Sequence, residues 1–253
     1  MPPARQLVRQ PTRHGPVEVW QQQSLRWLTL EGIEQTRIDL AQPKQLASAL
    51  SRALLTALLF VEPPQRLLLA GLGGGAIARY LHAIDPAIHG DAVEICTSIA
   101  TLAQEYFEFP SRNWRLTVED IRRWCGDGYN WIISDIAEGA LSPAWLTDEA
   151  MLRQYRQQLS ADGVLVMNLL PADAAHFSRM LMTLRQVFER RTLCLTLPDF
   201  KNIIVLAFKQ APRFHRIDEL KQRLPLLAAH WQLDFSAELA QLQQDNPVGS
   251  GVF

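Results

Sequence analysis

Glycines crowd one point of this chain. Gly71-Leu-Gly73-Gly74-Gly75-Ala76 follows the apolar run Leu67-Leu-Leu-Ala70 and leads into a helical pattern. Glycine lets a backbone approach a ligand closely, and a helix N-terminus offers free N–H groups and positive potential. Nucleotide binding is the chemistry such a turn serves, a tight strand-to-helix turn being the plainer alternative. Glu94 ends the next apolar segment, 19 residues after Gly75. A carboxylate there can accept both hydroxyls of a ribose. Glu119-Asp120 follows the third segment, where a carboxylate can hold an adenine amino group. Asp135 and Glu138 lie three residues apart behind Trp131-Ile-Ile-Ser. Two acids at a strand's carboxyl end suit a cationic substrate. One can accept a proton from an amine that attacks carbon, and the other can fix a second ammonium by a charge-assisted hydrogen bond. On the plainer reading Asp135 caps the strand end, Glu138 faces water and Trp145 packs.

These residues need a scaffold that aligns strand ends. From Arg66 onward strands alternate with helices: strands at Leu67–Ala70, Asp91–Ile95, Arg115–Val118, Trp131–Asp135 and Val164–Leu169. Helical stretches fall at Ala76–Ile84, Ser98–Glu108, Asp120–Trp124, Thr147–Leu159 and Ala172–Phe188. Continuous apolar strands are what a sheet covered on both faces requires, and β–α alternation implies a doubly wound parallel sheet. Thr192–Leu197 and Ile203–Phe208 are only five residues apart, too few for a parallel crossover, so they form an antiparallel hairpin. The expected fold is therefore α/β: a doubly wound, mostly parallel seven-stranded sheet ending in that hairpin. The glycine string also satisfies the Gly-x-Gly-x-x-Ala form of a dinucleotide site. Glu119-Asp120 and the terminal hairpin favour an adenosyl sulfonium instead, because the six-strand dinucleotide order is parallel throughout.

Four segments follow from composition. Residues 1–16, punctuated by prolines, are expected to be a flexible arm, and residues 17–42, β-rich with Gly32, a small strand meander. Residues 43–211 would be the nucleotide-binding catalytic domain, opening with a helix from Pro43 whose Leu46, Leu50, Leu54 and Leu58 form one apolar stripe. Residues 212–253 would be a helical tail, kinked at Pro225 and frayed from Asn246 to Phe253.

Composition excludes several functions. A net charge of −1 leaves no global footprint for nucleic acid. No stretch approaches membrane-spanning length, and the N-terminus, with Arg5, Arg9 and Arg13 among prolines, carries no apolar run of signal-peptide length. Cys96, Cys125 and Cys194 read as buried thiols in a reducing, cytoplasmic setting. The histidines show no metal-ligand spacing, and no Gly-x-Ser-x-Gly is present, so neither a metal nor a serine nucleophile is expected. Apolar surface on the meander and the Pro43 helix suggests a homodimer.

Over about Trp27 to Lys209 the chain resembles the spermidine synthase (polyamine aminopropyltransferase) family. Leu30-Glu-Gly-Ile-Glu-Gln35 is similar to its N-terminal strand motif, Leu69-Ala-Gly-Leu-Gly-Gly-Gly75 to its glycine loop, and Gly163-Val-Leu-Val-Met-Asn168 to its fifth strand. The resemblance implies that Gln35, Gly71, Gly73, Gly75, Glu94, Glu119 and Asp120 bind the nucleotide. It implies that Asp135 is the catalytic base and that Glu138 binds the amine. Decarboxylated S-adenosylmethionine would be the co-substrate and a putrescine-like amine the acceptor. Some positions depart from the pattern. Gly74 stands where the family carries an aspartate that grips the donor's amine, the Tyr-His-Glu stretch before the first Rossmann strand is absent, and Glu138 replaces an Asp. An aspartate there would repel the α-carboxylate of S-adenosylmethionine; glycine does not. A methyltransferase using intact S-adenosylmethionine, or a non-catalytic adenosyl- or polyamine-binding member of the family, therefore stand as alternatives.

Overall fold

Alternating apolar and polar residues decide the first forty positions. In the computed structural model, which describes residues 3–249 and 251–253, they form four strands: β1 (Arg5–Thr12), β2 (Gly15–Gln22), β3 (Leu25–Leu30) and β4 (Ile33–Asp39). The strands pair in chain order as an antiparallel sheet, with Val17 opposite Leu30 and Leu28 opposite Thr36. One face points Val17, Val19, Leu28 and Ile38 into a core shared with Ile99, Leu102 and Phe107. The expected arm is thus corrected. Most of it is edge strand β1, whose Leu7 and Val8 pack on that core. Its prolines do not prevent this, because an edge strand tolerates missing N–H donors and Pro11 pairs across from Pro16 beside the turn. Met1 and Pro2 lie outside the described residues.

The helix expected from Pro43 also changes. Asp39 accepts the amide of Ala41 and turn hydrogen bonds follow through Gln45, so regular helix begins only at α1 (Ala49–Ala53). A 3-10 turn at Thr56–Leu59 continues it, with Thr56 Oγ1 donating to Ala53 O at 2.7 Å. Residues 53–60 are buried on every side, so Leu54 and Leu58 belong to the interior and are not an exposed stripe.

The remainder alternates. In chain order come β5 (Arg66–Ala70), α2 (Ala76–Ile84), β6 (His89–Glu94), α3 (Thr97–Tyr106), β7 (Trp114–Val118) and β8 (Tyr129–Ser134). Then follow α4 (Glu149–Gln158), β9 (Leu159–Leu169), α5 (Ala174–Val187), β10 (Thr192–Thr196) and β11 (Ile203–Phe208). They build a seven-stranded sheet of order β10-β11-β9-β8-β5-β6-β7. β6 with β7 and β8 with β9 run parallel, while β11 is antiparallel to both β9 and β10. Leu67 to Ala70 and Val164 to Met167 are almost wholly buried, as a sheet covered on both faces demands.

The tail carries α6 (Ile217–Trp231), which runs through Pro225, and α7 (Ser236–Asp245). The fraying expected from Asn246 does not begin there; of the rest of that stretch, Val248 is 90 % exposed and Ser250 lies outside the described residues. Asn246 is buried, accepting from Cys194 N at 2.8 Å and donating to Cys194 O at 2.6 Å, so it closes against β10 as a strand would. Cys96 and Cys194 are buried free thiols, whereas Cys125 is exposed, against expectation. The chain divides into two compact units, Met1–Ser51 with Leu69–Trp124, and Arg52–Leu68 with Cys125–Phe253. No helix among the described residues is long and apolar enough to cross a membrane.

Candidate active site

The first unit holds the glycine turn. Gly71, Gly73 and Gly75 have φ of 84°, 54° and 72°, a left-handed run that side chains resist. Gly71 N donates to Val93 O at 2.9 Å, tying the turn to β6, and Gly75 caps α2. Packing demands glycine as strongly as any ligand would. A Cβ on Gly73 would stand 3.2 Å from Gln35 O, one on Gly75 2.7 Å from Phe109 Cδ2, and one on Gly74 2.1 Å from Thr36 Cγ2. β4 therefore lies directly against the turn. The Gln35 side chain is exposed and donates to Ile33 O at 3.2 Å on its own strand, so it is the main chain of Gln35 that meets the glycines.

Glu94 is not the open ribose acceptor that its position suggests. It is 7 % exposed, with Oε2 accepting Leu72 N at 3.0 Å and Oε1 accepting Cys96 N at 2.9 Å. Burial pushes its pKa up, opposed by hydrogen bonds from the backbone of Cys96, Leu72, Ile95 and Gly73. It clasps the glycine turn and the start of α3 together. A carboxylate offers about four lone-pair sites, so the acceptor capacity of Glu94 is already largely engaged by backbone N–H groups. Glu119 Oε1 accepts Asp120 N at 2.9 Å, and Glu119 N donates to Glu94 O at 3.1 Å. Asp120 caps a 3-10 turn (Ile121–Arg123) and forms a two-pronged ion pair with Arg122, at 3.0 and 2.6 Å. That pairing holds its pKa below the ordinary carboxylate value.

Two apolar side chains lie beside these acids. Ile95 and Val118 are 43 % and 47 % exposed, unusual for large apolar side chains. They follow Glu94 and precede Glu119 on neighbouring strands, where Glu94 pairs with Val118. Their signal was visible as an apolar residue beside each strand-end acid.

The second unit holds the other acids. Asp135 follows β8, and its Oδ1 accepts Asn168 Nδ2 at 2.8 Å; Asn168 Oδ1 in turn accepts Asn202 Nδ2 at 2.8 Å. The Asp135 residue as a whole is exposed, yet the protein crowding its carboxyl removes enough water to push its pKa up. The Asn168 hydrogen bond opposes that rise. Behind it, Ser134 Oγ and Tyr155 Oη share a buried hydrogen bond of 3.3 Å. Glu138 leans the other way. Trp145 Nε1 donates to its Oε1 over a long 3.5 Å, and a tight turn joins Glu138 N to Leu141 O at 2.9 Å. Ser142 anchors this loop, exchanging hydrogen bonds of 2.9 and 3.0 Å with Leu170 just past β9. Among the described residues no group of three or more His, Cys, Asp or Glu could hold a metal ion.

A mostly parallel seven-stranded sheet with a terminal antiparallel hairpin and a glycine turn after β5 defines an α/β protein of the methyltransferase type. A probable spermidine synthase from Corynebacterium glutamicum superposes with a TM-score of 0.72 at 20 % identity, covering 88 % of each chain. A spermidine synthase in complex with the transition state analogue AdoDATO gives 0.68 at 15 % identity, covering 94 % of this chain and 85 % of that one. Human methyltransferase-like protein 13 in complex with SAH gives 0.62 at 24 %, covering 72 % and 89 %. No family model matches the chain. The polyamine aminopropyltransferase of Neisseria meningitidis is 31 % identical, covering 84 % of this chain and 83 % of that protein. That of Chromobacterium violaceum is 29 % identical over 99 % and 98 %. The chain belongs to the polyamine aminopropyltransferase family and is a transferase.

Proposed function

We propose that the protein moves an aminopropyl group from decarboxylated S-adenosylmethionine to a putrescine-like amine. The glycine turn receives the nucleotide, Ile95 and Val118 flank its adenine, and Glu94 takes the ribose while bracing the turn. Glu119 and Asp120 lie at the adenine edge, and Gln35 closes over the donor from β4. Asp135 accepts a proton from the attacking amine. The amine nitrogen bonds to the methylene carbon beside sulfur, the C–S bond breaks, and its electron pair neutralises the sulfonium to give methylthioadenosine. Glu138 binds the distal ammonium of the acceptor.

The observation that carries this reading is Asp135 itself, a carboxylate at a strand end with one oxygen fixed by an amide and a raised pKa. Purified protein given both substrates should release methylthioadenosine. Asp135→Asn should cut kcat by about a hundredfold to ten-thousandfold, the usual worth of a positioned base. Absence of release with putrescine, cadaverine and agmatine would defeat the proposal.

Gly74 keeps methyl transfer as a second reading, because no acid beside it excludes the carboxylate of intact S-adenosylmethionine. Calorimetry with both nucleotides separates the two, and a clear preference for the decarboxylated form removes the methyltransferase. Turnover that vanishes in Asp135→Asn removes the third possibility, a non-catalytic binder. We also place the protein in the cytoplasm, which its free thiols suit, and pair it as a homodimer through the N-terminal sheet, where Leu25 and Ile33 are 39 % and 45 % exposed. Sedimentation velocity should then show one species of twice the chain mass; a monomer would refute the pairing.

A further inference from the structure

Asn202 lies in the turn between β10 and β11, where a hairpin needs only to reverse direction. Its side chain reaches further. Nδ2 donates to Oδ1 of Asn168 at 2.8 Å, and Nδ2 of Asn168 donates to Oδ1 of Asp135 at 2.8 Å. Asn168 is 3 % exposed near the end of β9, so water has little part in orienting it.

An amide has two ends of nearly equal shape and opposite hydrogen-bonding character. Packing alone does not choose between them; the partners do. An ionised carboxylate accepts only, so it draws the NH2 end of Asn168. The carbonyl end then needs a donor, and Asn202 supplies it. With Asn202 donating, Asn168 is disfavoured from turning its carbonyl toward Asp135, where two oxygens would repel.

We propose that Asn202 is a positioning residue of the amine site: through Asn168 it holds Oδ1 of Asp135 and leaves Oδ2 to receive the amine proton. The role rests on the aminopropyl-transfer reading for its purpose, and on the two hydrogen bonds for its existence. The groups in hydrogen-bond contact along this path are neutral. They are Asn168 on β9, Asn202 on the hairpin turn, and, one residue back, Ser134 on β8 with its partner Tyr155 on α4; the charged Asp199 and Lys201 of the same turn are exposed to solvent. Glu138 is turned to Trp145. Burial discourages charge on Asp135, and the amide is the hydrogen bond that favours it.

The test is a double-mutant cycle on the full chain with Asn202→Ala, Asn168→Leu and both together. Two quantities are read: the Asp135 carboxyl titration by NMR, and methylthioadenosine release as kcat and nucleotide KM. Asn202→Ala should raise the Asp135 pKa, move the acid limb of the rate profile to higher pH and lower kcat about tenfold, with nucleotide KM unchanged. In the Asn168→Leu background it should change nothing more, because the path is already cut. Additive losses would make Asn202 a mere pin for the hairpin and overturn the proposal. An Asp135 titration unmoved by Asn202→Ala would do the same, and it decides the matter even if Asn168→Leu fails to fold. A wild-type protein without turnover would sink the proposed function, while the NMR titration still judges the relay.

Discussion

Thr36 decides what Gly74 can be. Its Cγ2 would stand 2.1 Å and its Cβ 2.9 Å from a Cβ at Gly74, so the turn has no room for a side chain there. The aspartate suggested by the family resemblance cannot be restored by one substitution. Gly74→Asp should weaken nucleotide binding by about tenfold or more, since the turn must move away from β4 to admit it. Thr36→Ala is expected to help little, because Cβ remains. Thr36→Gly combined with Gly74→Asp should recover binding, now with preference for the decarboxylated nucleotide. Calorimetry with both nucleotides checks this, and tight, selective binding by Gly74→Asp alone would refute it. Glu94 shows the same economy. One carboxylate closes two turns, and its position at a strand end could not reveal that its oxygens are already engaged.

Elements in this protein are held at their ends by side chains that imitate backbone. Asn246, just past α7, pairs with both the N–H and the C=O of Cys194 and also donates to Leu242 O at 2.8 Å. It thereby satisfies the outer edge of β10. Asn246→Ala would leave a buried N–H and C=O unpaired, at a cost of about 2–3 kcal/mol. For a chain of this size that lowers the thermal midpoint by roughly 5–10 °C. Differential scanning calorimetry measures it, and an unchanged midpoint would show that the tail is dispensable. The hairpin of β10 and β11 is anchored from its other end by Asn202, so an element that marks the fold also serves the acid. β1 makes a related point. Its pairing with β2 was obscured by prolines, which break helices and central strands but are harmless on an edge.

At the scale of the whole molecule, protonation links the site to stability. Burial raises the pKa of both Glu94 and Asp135. A carboxyl whose folded pKa is raised binds more protons folded than unfolded, so its contribution is full below the unfolded pKa and is lost as pH rises through the folded one. The lowered carboxylate of Asp120 acts oppositely, its contribution being present above the unfolded pKa and lost as pH falls. Only the share of stability owed to Glu94 and Asp135 should therefore decline as pH climbs from about 4, the ordinary carboxylate value, since Glu189 and Asp234 are lowered as Asp120 is. Asp135→Asn should make that decline shallower, because the ionisation that opposes folding is removed. Melting curves from weakly acid to weakly alkaline buffer test it, and an identical pH slope in the variant would contradict the upward shift at this carboxyl.

Periodicity and spacing were enough for the sheet, its helices, the terminal hairpin and the placing of acids after strand ends, because burial on two faces leaves a local pattern in the chain. The glycine turn was legible for the same reason, positive φ being a demand that a residue type answers directly. Side-chain partnership is another matter. Asn168 and Asn202 lie 34 residues apart, and nothing local marks either as bound for Asp135. Thr36 beneath Gly74, the clasp of Glu94, the break in the Pro43 helix and the docking of Asn246 likewise depend on which segments the register sets against one another. Residue types chose the elements; packing chose the partners, because a hydrogen bond or a clash is settled by distances that only the folded chain creates.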